Sequence, residues 1–330
     1  MKRKFSTKVI VLFLIFQLIF FIITMPFIVF YGPFDNVKRI VVGSSMNSFR
    51  HQYIAKIFLS QEEINKILKQ DDIEVFNQKN IKIIESNIRK KDMKAKNIER
   101  YNISSDRFKG YVIIVNNPFT IKVGYSTKLG EKGEITSKIA QNYGAAAAIN
   151  GGGFAYKSKN KTWIGTGGNP VGFLITDGNV KFQKVNNNDE KLDVMAITKE
   201  GVLLVGKHSL NDMKRMNVKE AITFGPPLVV DGKGTIKSGN GGWGIAPRTA
   251  IGQRKDGSII FLVIDGRQPP FSYGATLKDV QNIMIKYDAY NATNLDGGAS
   301  ATMYYNNKVI NNPSSPLGER AVPSIIYVKN

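Results

Sequence analysis

Short apolar runs recur along the chain after residue 107, and this pattern predicts a domain built mainly of strands. Each run is bounded by glycine, proline, asparagine or aspartate, the residues typical of tight turns. We therefore expect a mixed α+β fold with a mostly β centre and few helices. The predicted strands are 111–115, 120–125, 145–149, 171–176, 180–182, 194–198, 202–205, 221–224, 228–230, 259–264, 291–295, 302–305 and 324–328. Residues 247–252 lead into one more strand, which forms a hairpin with 259–264.

Apolar residues at helical spacing predict a few helices. Residues 136–143 and 276–287 have this spacing in the β-rich part of the chain. Nearer the N-terminus, residues 47–69 predict one or two short amphipathic helices, and the three residues from Gly43 predict a flexible break. Residues 71–106 are polar and have no steady period, so we expect a linker or an irregular subdomain there.

The run from Val9 to Tyr31 is apolar except for Gln17, Thr24 and Pro26. Since about 20 apolar residues span a bilayer, it predicts a single-pass signal anchor, and the basic residues before it predict a cytoplasmic N-terminus. We therefore expect membrane attachment through residues 9–31 and location of the rest outside the cell. The expected divisions are a basic tail (1–8), the anchor (9–31), a membrane-proximal helical region with a linker (32–106) and a catalytic domain (107–330).

The composition narrows the possible chemistry and partners. The 330-residue chain has a formal net charge of +20, spread along its length, which favours anionic partners such as a membrane surface, a wall polymer or a phosphorylated glycan. No recognised nucleic-acid motif accompanies the charge, so we expect no nucleic-acid partner. The absence of cysteine excludes disulfides and thiol nucleophiles, and two separated histidines argue against a serine–histidine triad.

Three junctions share one pattern, in which a buried strand is followed at once by a polar residue and glycine. They end at Asn150, at Asp265 with Arg267, and at Asp296. Polar side chains at strand ends are placed to bind ligands, and glycines such as Gly151, Gly297 and Gly298 let a backbone approach closely. The same pattern also fits three ordinary strand-to-turn junctions.

Carboxylates are the groups left for acid–base chemistry. Asp265 and Asp296 follow strands, and Glu319 is an outlying candidate. Paired carboxylates are used to cleave glycosidic bonds. Arginine binds phosphate or carboxylate oxygens in a bidentate way, which favours an anionic substrate group. The arginines concerned are Arg248, Arg267 and Arg320.

Six motifs together resemble the phosphodiester glycosidase family, over residues 108–330. The resemblance implies a mixed α/β domain that hydrolyses the bond between the anomeric carbon of an N-acetylglucosamine-like sugar and a phosphodiester oxygen. A wall polymer or an exopolysaccharide is the substrate that we expect. The motifs are NGGGF (150–154), RTAIG (248–252), DGR (265–267), GATL (274–277), NLDGGAS (294–300) and ERAVPS (319–324).

The expected roles follow from this resemblance. Asp265 and Asp296 stabilise the oxocarbenium-like carbon and activate water, in an order that the sequence leaves open. Arg248 and Arg267 bind the phosphate, with Arg320 as a further candidate. No metal site is predicted and no cofactor is required, although a divalent cation near the carboxylates stays open. The remaining substrate-binding candidates are Asn150, Gly151, Gly297, Gly298 and Ser300.

Two other functions fit the same residues. A glycoside hydrolase would use the carboxylates on ordinary glycosidic bonds of a cell-surface polysaccharide. A membrane-tethered binding protein would use the arginines to hold an anionic glycan without turnover.

Overall fold

The structure, a computed structural model, describes residues 6–48, 51–69, 73–91, 98–155 and 166–330. The chain forms two compact units. The first is Met1–Asp72 with Gly242–Gly244, and the second is Ile73–Gly241 with Ile245–Asn330. All predicted site residues belong to the second unit.

The described residues form eight α-helices, four of them in the first unit. The helices are α1 (Thr7–Tyr31), α2 (Asp35–Met46), α3 (Gln52–Lys56), α4 (Gln61–Lys69), α5 (Ile81–Lys90), α6 (Thr136–Asn142), α7 (Leu210–Arg215) and α8 (Leu277–Lys286).

Helix α1 is long and apolar enough to cross a membrane, and its apolar side chains are exposed along most of its length. The other three helices of the first unit pack around a small core that includes Phe30, Val42 and Ile64. The break predicted at Gly43 is wrong, because α2 continues through it. A glycine inside a helix costs about 1 kcal/mol of helix stability. Burial of the neighbouring Val42 in this core offsets that cost at Gly43.

The strands form three larger antiparallel sheets and one small pair. A seven-stranded sheet has the order β1-β2-β14-β13-β15-β11-β12, and two five-stranded sheets have the orders β7-β6-β10-β8-β9 and β17-β16-β5-β19-β3. The strands are β1 (Ile98–Ser104), β2 (Lys109–Val115), β3 (Ile121–Tyr125), β4 (Glu134–Ile135), β5 (Ala145–Asn150), β6 (Gly172–Thr176), β7 (Asn179–Lys184), β8 (Leu192–Thr198), β9 (Leu203–His208), β10 (Val218–Thr223), β11 (Pro227–Val230), β12 (Lys233–Gly234), β13 (Arg248–Arg254), β14 (Ile259–Ile264), β15 (Ala289–Leu295), β16 (Met303–Tyr305), β17 (Lys308–Val309), β18 (Ala321–Val322) and β19 (Ser324–Lys329).

One apolar core joins the three large sheets. It takes alternate residues from the strands, for example Phe261 and Val263 of β14, and Ile149 of β5. Helices cover the outer faces: α6 packs with β5 and β19, α8 with β15 and β11, and α5 and α7 with the sheet of β6. The alanines of β5 leave room for α6 and for the rings of Tyr304 and Tyr327. The predicted mixed α+β fold is confirmed.

The structure differs from the sequence prediction at β1, which lies in the segment predicted as a linker. This strand pairs along its whole length with β2, from Ile98 opposite Val115 to Ser104 opposite Lys109. It is the edge strand of the seven-stranded sheet, and most of its side chains are exposed. An exposed edge strand needs no apolar face, so the apolar alternation that predicts strands is missing there.

Glu220 ties β10 to β3 and should contribute strongly to stability. Its carboxylate is 1% exposed and accepts hydrogen bonds from the Val123 amide (2.8 Å), the Thr176 hydroxyl (2.9 Å) and the Lys122 ammonium (3.0 Å). We expect Glu220→Ala to lower the free energy of unfolding by roughly 3–5 kcal/mol, because it removes the acceptor of the Val123 amide and breaks the buried ion pair with Lys122. Chemical denaturation of the full-length protein measures this. The exposed Glu131→Ala is the control, and equal losses in the two variants would contradict the prediction.

Candidate active site

Strand register brings two of the predicted strand-to-turn junctions to the same end of three neighbouring strands in the seven-stranded sheet. Strand β13 pairs with β14 (Arg248 opposite Ile264) and with β15 (Thr249 opposite Leu295). The start of β13 therefore lies between the ends of the other two strands. Asp265 and Asp296 are the first residues after those ends.

The third junction is joined to the other two by the Asn150 side chain. Its Nδ2 donates to the carbonyl of Asp296 at 2.5 Å. Its Oδ1 accepts from the Thr249 hydroxyl at 2.7 Å and from the Thr302 amide at 3.1 Å. The backbone adds a bond from the Asp296 amide to the carbonyl of Gly151 at 3.2 Å. Asn150 is 0% exposed, so its amide holds the loop of Asp296 in place instead of facing a ligand.

Asp296 has the most perturbed carboxylate among the predicted site residues. Burial raises its pKa to about 6. The Ser300 hydroxyl, Arg320, the Gly297 amide and Arg267 all oppose this shift, so these groups surround the carboxylate. Asp296 as a whole residue is only partly buried.

Arg267 lies beside the loop of Asp296 and has φ of +59°. A β-carbon on Gly298 would lie 3.3 Å from both terminal nitrogens of this guanidinium, so glycine allows their close approach. Burial lowers the pKa of Arg267 and the charge of Arg320 lowers it further, although one face of Arg267 is exposed. An anion bound here would relieve the repulsion between these two cations.

Arg320 is half-buried and lies over an aromatic ring. Its guanidinium carbon is 4.8 Å from the centre of the Phe154 ring, which fits a cation–π contact. The preceding Glu319 accepts hydrogen bonds from the amide and hydroxyl of Ser137 at the start of α6. The Glu319 carboxylate therefore anchors the segment that carries Arg320.

Arg248 is 4% exposed, and its Nε donates to the carbonyl of Ala275 at 2.9 Å. Burial, together with the charge of Arg267, lowers its pKa to about 9. Arg248 is thus still a cation at neutral pH. It adds positive potential behind the more exposed Arg267.

The carboxylate of Asp265 is engaged by other protein groups. Its Oδ1 accepts from the Asn311 side chain and from the Asn312 amide, both at 3.0 Å, and Tyr111 is a further neighbour. Burial raises its pKa, and these three donors oppose the shift. Asp265 is 4% exposed, so the structure shows it as the anchor of the 311–312 segment. Direct action on a substrate stays a prediction.

The remaining candidates shape the loop around Asp296. A β-carbon on Gly151 would lie 2.5 Å from Oγ of Ser324, and one on Gly297 would lie 2.6 Å from the carbonyl of Pro247, so both glycines allow close contact between backbone segments. The Ser300 hydroxyl is buried and lies next to the Asp296 carboxyl, where it opposes the rise in the pKa of Asp296. Binding of a ligand by Ser300 stays a prediction.

The structure brings together Asp296, Arg267, Arg320 and Ser300, with Arg248 behind them. Sequence reasoning missed Phe154 as the partner of Arg320 and Thr249 as the partner of Asn150. Phe154 is the last residue of the NGGGF motif, and its place in that motif is the sequence feature that could have identified it. In the described part of the chain, no group of three or more histidine, aspartate and glutamate side chains is arranged to hold a metal ion.

A model of the phosphodiester glycosidase family matches residues 143–329, which is more than half of the chain. The chain therefore belongs to this family. The matched region contains the whole cluster around Asp296 and every other predicted site residue.

Curated relatives match over short segments. The SPbeta prophage-derived uncharacterized protein YomE of Bacillus subtilis is 42% identical over 82 residues, 25% of this chain. The N-acetylglucosamine-1-phosphodiester alpha-N-acetylglucosaminidase of Bos taurus is 37% identical over 70 residues, 21% of this chain. The matched segments span only 12% and 13% of these two relatives.

Two solved structures match over 71% and 68% of this chain. The zebrafish N-acetylglucosamine-1-phosphodiester alpha-N-acetylglucosaminidase catalytic domain, auto-inhibited by its pro-peptide, has a TM-score of 0.58 and 25% identity. That match covers 71% of this chain and 82% of the zebrafish chain. A putative exported protein of Burkholderia pseudomallei has a TM-score of 0.50 and 16% identity, with 68% and 74% of the two chains covered. The second match shows the fold alone.

The Asn150 contacts generate a stability prediction. We expect Asn150→Ala to lower the free energy of unfolding by roughly 2–4 kcal/mol, because it removes three buried hydrogen bonds. Thr249→Val removes one of these bonds and keeps the shape of the side chain, so we expect a loss of about 1 kcal/mol. Chemical denaturation of the full-length variants measures both. If Asn150→Ala lowered the free energy of unfolding no more than Thr249→Val does, the role of Asn150 in holding the loop of Asp296 would be contradicted.

Proposed function

We propose that this protein hydrolyses glycosyl-1-phosphodiesters at the bond between the anomeric carbon and the phosphodiester oxygen. The observation that carries this proposal is the meeting of a carboxylate of pKa about 6, Asp296, with Arg267 and Arg320 at one half-open site. Membership of the phosphodiester glycosidase family supports the reaction type. The named activity of the bovine and zebrafish relatives supports an N-acetylglucosamine-like sugar.

The arginines stabilise the phosphate leaving group. Cleavage releases a phosphate monoester, whose second pKa is about 6, so the departing oxygen needs little protonation. Arg267 and Arg320 neutralise the negative charge that develops on the phosphate, and Arg248 adds potential from behind. A well-placed donor of this kind contributes about 3–4 kcal/mol to transition-state stabilisation.

Asp296 acts as the general base for the attacking water. In its ionised form it accepts a proton from water, whose oxygen bonds to the anomeric carbon as the electron pair of the broken bond moves to the phosphate. The Ser300 hydroxyl binds the sugar or the water. Asp265 and Asn150 act as positioning residues, since protein groups occupy their polar atoms.

We further propose that the reaction takes place outside the cytoplasm, on a wall or exopolysaccharide substrate. Helix α1 is near the N-terminus and long enough to span a membrane, and basic residues precede it. The positive-inside rule, applied to these basic residues, supports an extracellular location for the second unit.

The pKa of Asp296 predicts the pH dependence. As a general base Asp296 must be ionised, so kcat/KM on a methyl N-acetylglucosamine-1-phosphodiester should rise with pH below about 6 and level off above it. Asp296→Asn should remove at least about a hundredfold of this activity. Release of free sugar by the full-length protein is the measurement. A profile that instead falls through pH 6 would show that Asp296 acts as a general acid.

Arg267 predicts selectivity for phosphodiesters. We expect Arg267→Gln to lower kcat/KM on the same substrate by about a hundredfold, because one donor to the developing phosphate charge is lost. Arg89→Gln is the matched control, since Arg89 lies on α5 with an exposed side chain paired to Glu85. The wild-type protein should leave neutral alkyl N-acetylglucosaminides intact. Cleavage of neutral glycosides at a comparable rate would overturn the phosphodiester assignment.

A further inference from the structure

Two large apolar side chains in the second unit are unusually exposed. Leu317 is 94% exposed and Phe271 is 73% exposed, and within the described part of this unit only Val75, at 72%, is comparable. We call Phe271 and Leu317 the apolar rim. Exposed apolar side chains that share one site indicate a binding surface.

Both rim residues lie in loops that carry site arginines. Phe271 is in the loop that begins with Asp265 and Arg267, and Leu317 is in the loop that leads to Arg320. The Gln268 and Asn312 side chains join the two loops: Gln268 Nε2 donates to the Asn312 carbonyl at 2.8 Å, and Asn312 Nδ2 donates to Gln268 Oε1 at 2.9 Å. The two loops are therefore joined to each other, and each carries one rim residue within four positions of a site arginine.

Both rim residues lie in tight turns. Phe271 lies within a tight turn, in which Gln268 and Ser272 exchange backbone hydrogen bonds of 2.8 and 3.0 Å. The Ser272 hydroxyl fixes this turn to the Asp265 carbonyl at 2.6 Å. Leu317 lies in a second turn, closed by the Gly318 amide on the Ser315 carbonyl at 3.0 Å.

The proposed reaction indicates what covers this surface. In a glycosyl-1-phosphodiester the phosphate separates the sugar from the aglycone. If the arginines bind the phosphate and the sugar carbon faces Asp296, the second ester oxygen leads away from the buried Ser300 side. The exposed loops of Phe271 and Leu317 border the arginines, so the aglycone passes over the rim.

We propose that the rim binds an apolar aglycone, so that the substrate is a sugar joined through one phosphate to an alkyl, acyl or prenyl chain. This inference rests on the proposed function. The apolar helix α1 supports a lipid substrate, because a membrane-spanning anchor would keep the protein where such lipids occur. In the reaction, water adds its hydroxyl to the anomeric carbon, the carbon–oxygen bond breaks, and the lipid phosphate monoester leaves with the electron pair.

A comparison of aglycones tests the proposal. Methyl and octyl N-acetylglucosamine-1-phosphodiesters would be hydrolysed by the full-length protein in amphipol, without free detergent, at substrate concentrations below micelle formation. A fully buried methylene strengthens binding by about a factor of four. For a partly covered chain we expect kcat/KM on the octyl substrate to exceed that on the methyl substrate by at least about tenfold.

Two variants locate this preference. In Phe271→Ser/Leu317→Ser the octyl-to-methyl ratio of kcat/KM should fall to below about threefold, because the rim is removed. Val75→Ser is the matched control, since Val75 is equally exposed in another part of the unit, and it should keep the full ratio. A general structural defect would lower both rates together and leave the ratio unchanged.

The outcomes separate this inference from the proposed function. Hydrolysis of both substrates with equal kcat/KM would overturn the apolar aglycone and leave the phosphodiester glycosidase intact. Hydrolysis of neither substrate would point to failure of the proposed function. If the double variant lost activity only on substrates embedded in vesicles and kept the octyl preference in solution, the rim would bind the membrane surface instead, and the proposal would be wrong.

Discussion

The site depends on the side-chain amide of Asn150, which links two sheets through three hydrogen bonds. It joins the end of β5 to the start of β13 and to the loop after β15. Backbone hydrogen bonds from Asp296 to Gly151 and from Gly298 to Pro247 hold the same loop. Because a misplacement of about 1 Å can cost a hundredfold in rate, a buried and fully bonded amide is a suitable way to fix that loop.

Electrostatic repulsion is the second constraint. Arg248, Arg267 and Arg320 lie close enough for the charge of one to lower the pKa of the next, and burial adds to this cost. Asp296 compensates only part of the positive charge, and burial has raised its own pKa to about 6. Such a cluster favours a bound anion before any reaction begins, which is the preorganised arrangement that stabilises developing charge.

Sequence reasoning located the strand ends well, and the structure shows why. Strand β14 is buried on both faces, so its apolar run and the polar residue that follows it are visible in the sequence. It failed at β1, where an exposed edge strand carries no apolar pattern. It also gave Asp265 and Asn150 ligand-facing roles, although both side chains bond to protein groups that lie far away along the chain.

The sequence by itself determined the β-rich class, the apolar N-terminal helix, and the placing of Asp296, Arg267 and Arg320 beside turns. Those properties follow from local spacing of apolar, polar and glycine residues. Only the tertiary structure decided which polar groups face one another. Hydrogen bonding and desolvation depend on neighbours from other strands. Asp265 therefore anchors the 311–312 segment, while Asp296 has a pKa raised to about 6. Two residues of one type, at the same kind of strand end, differ because their surroundings differ.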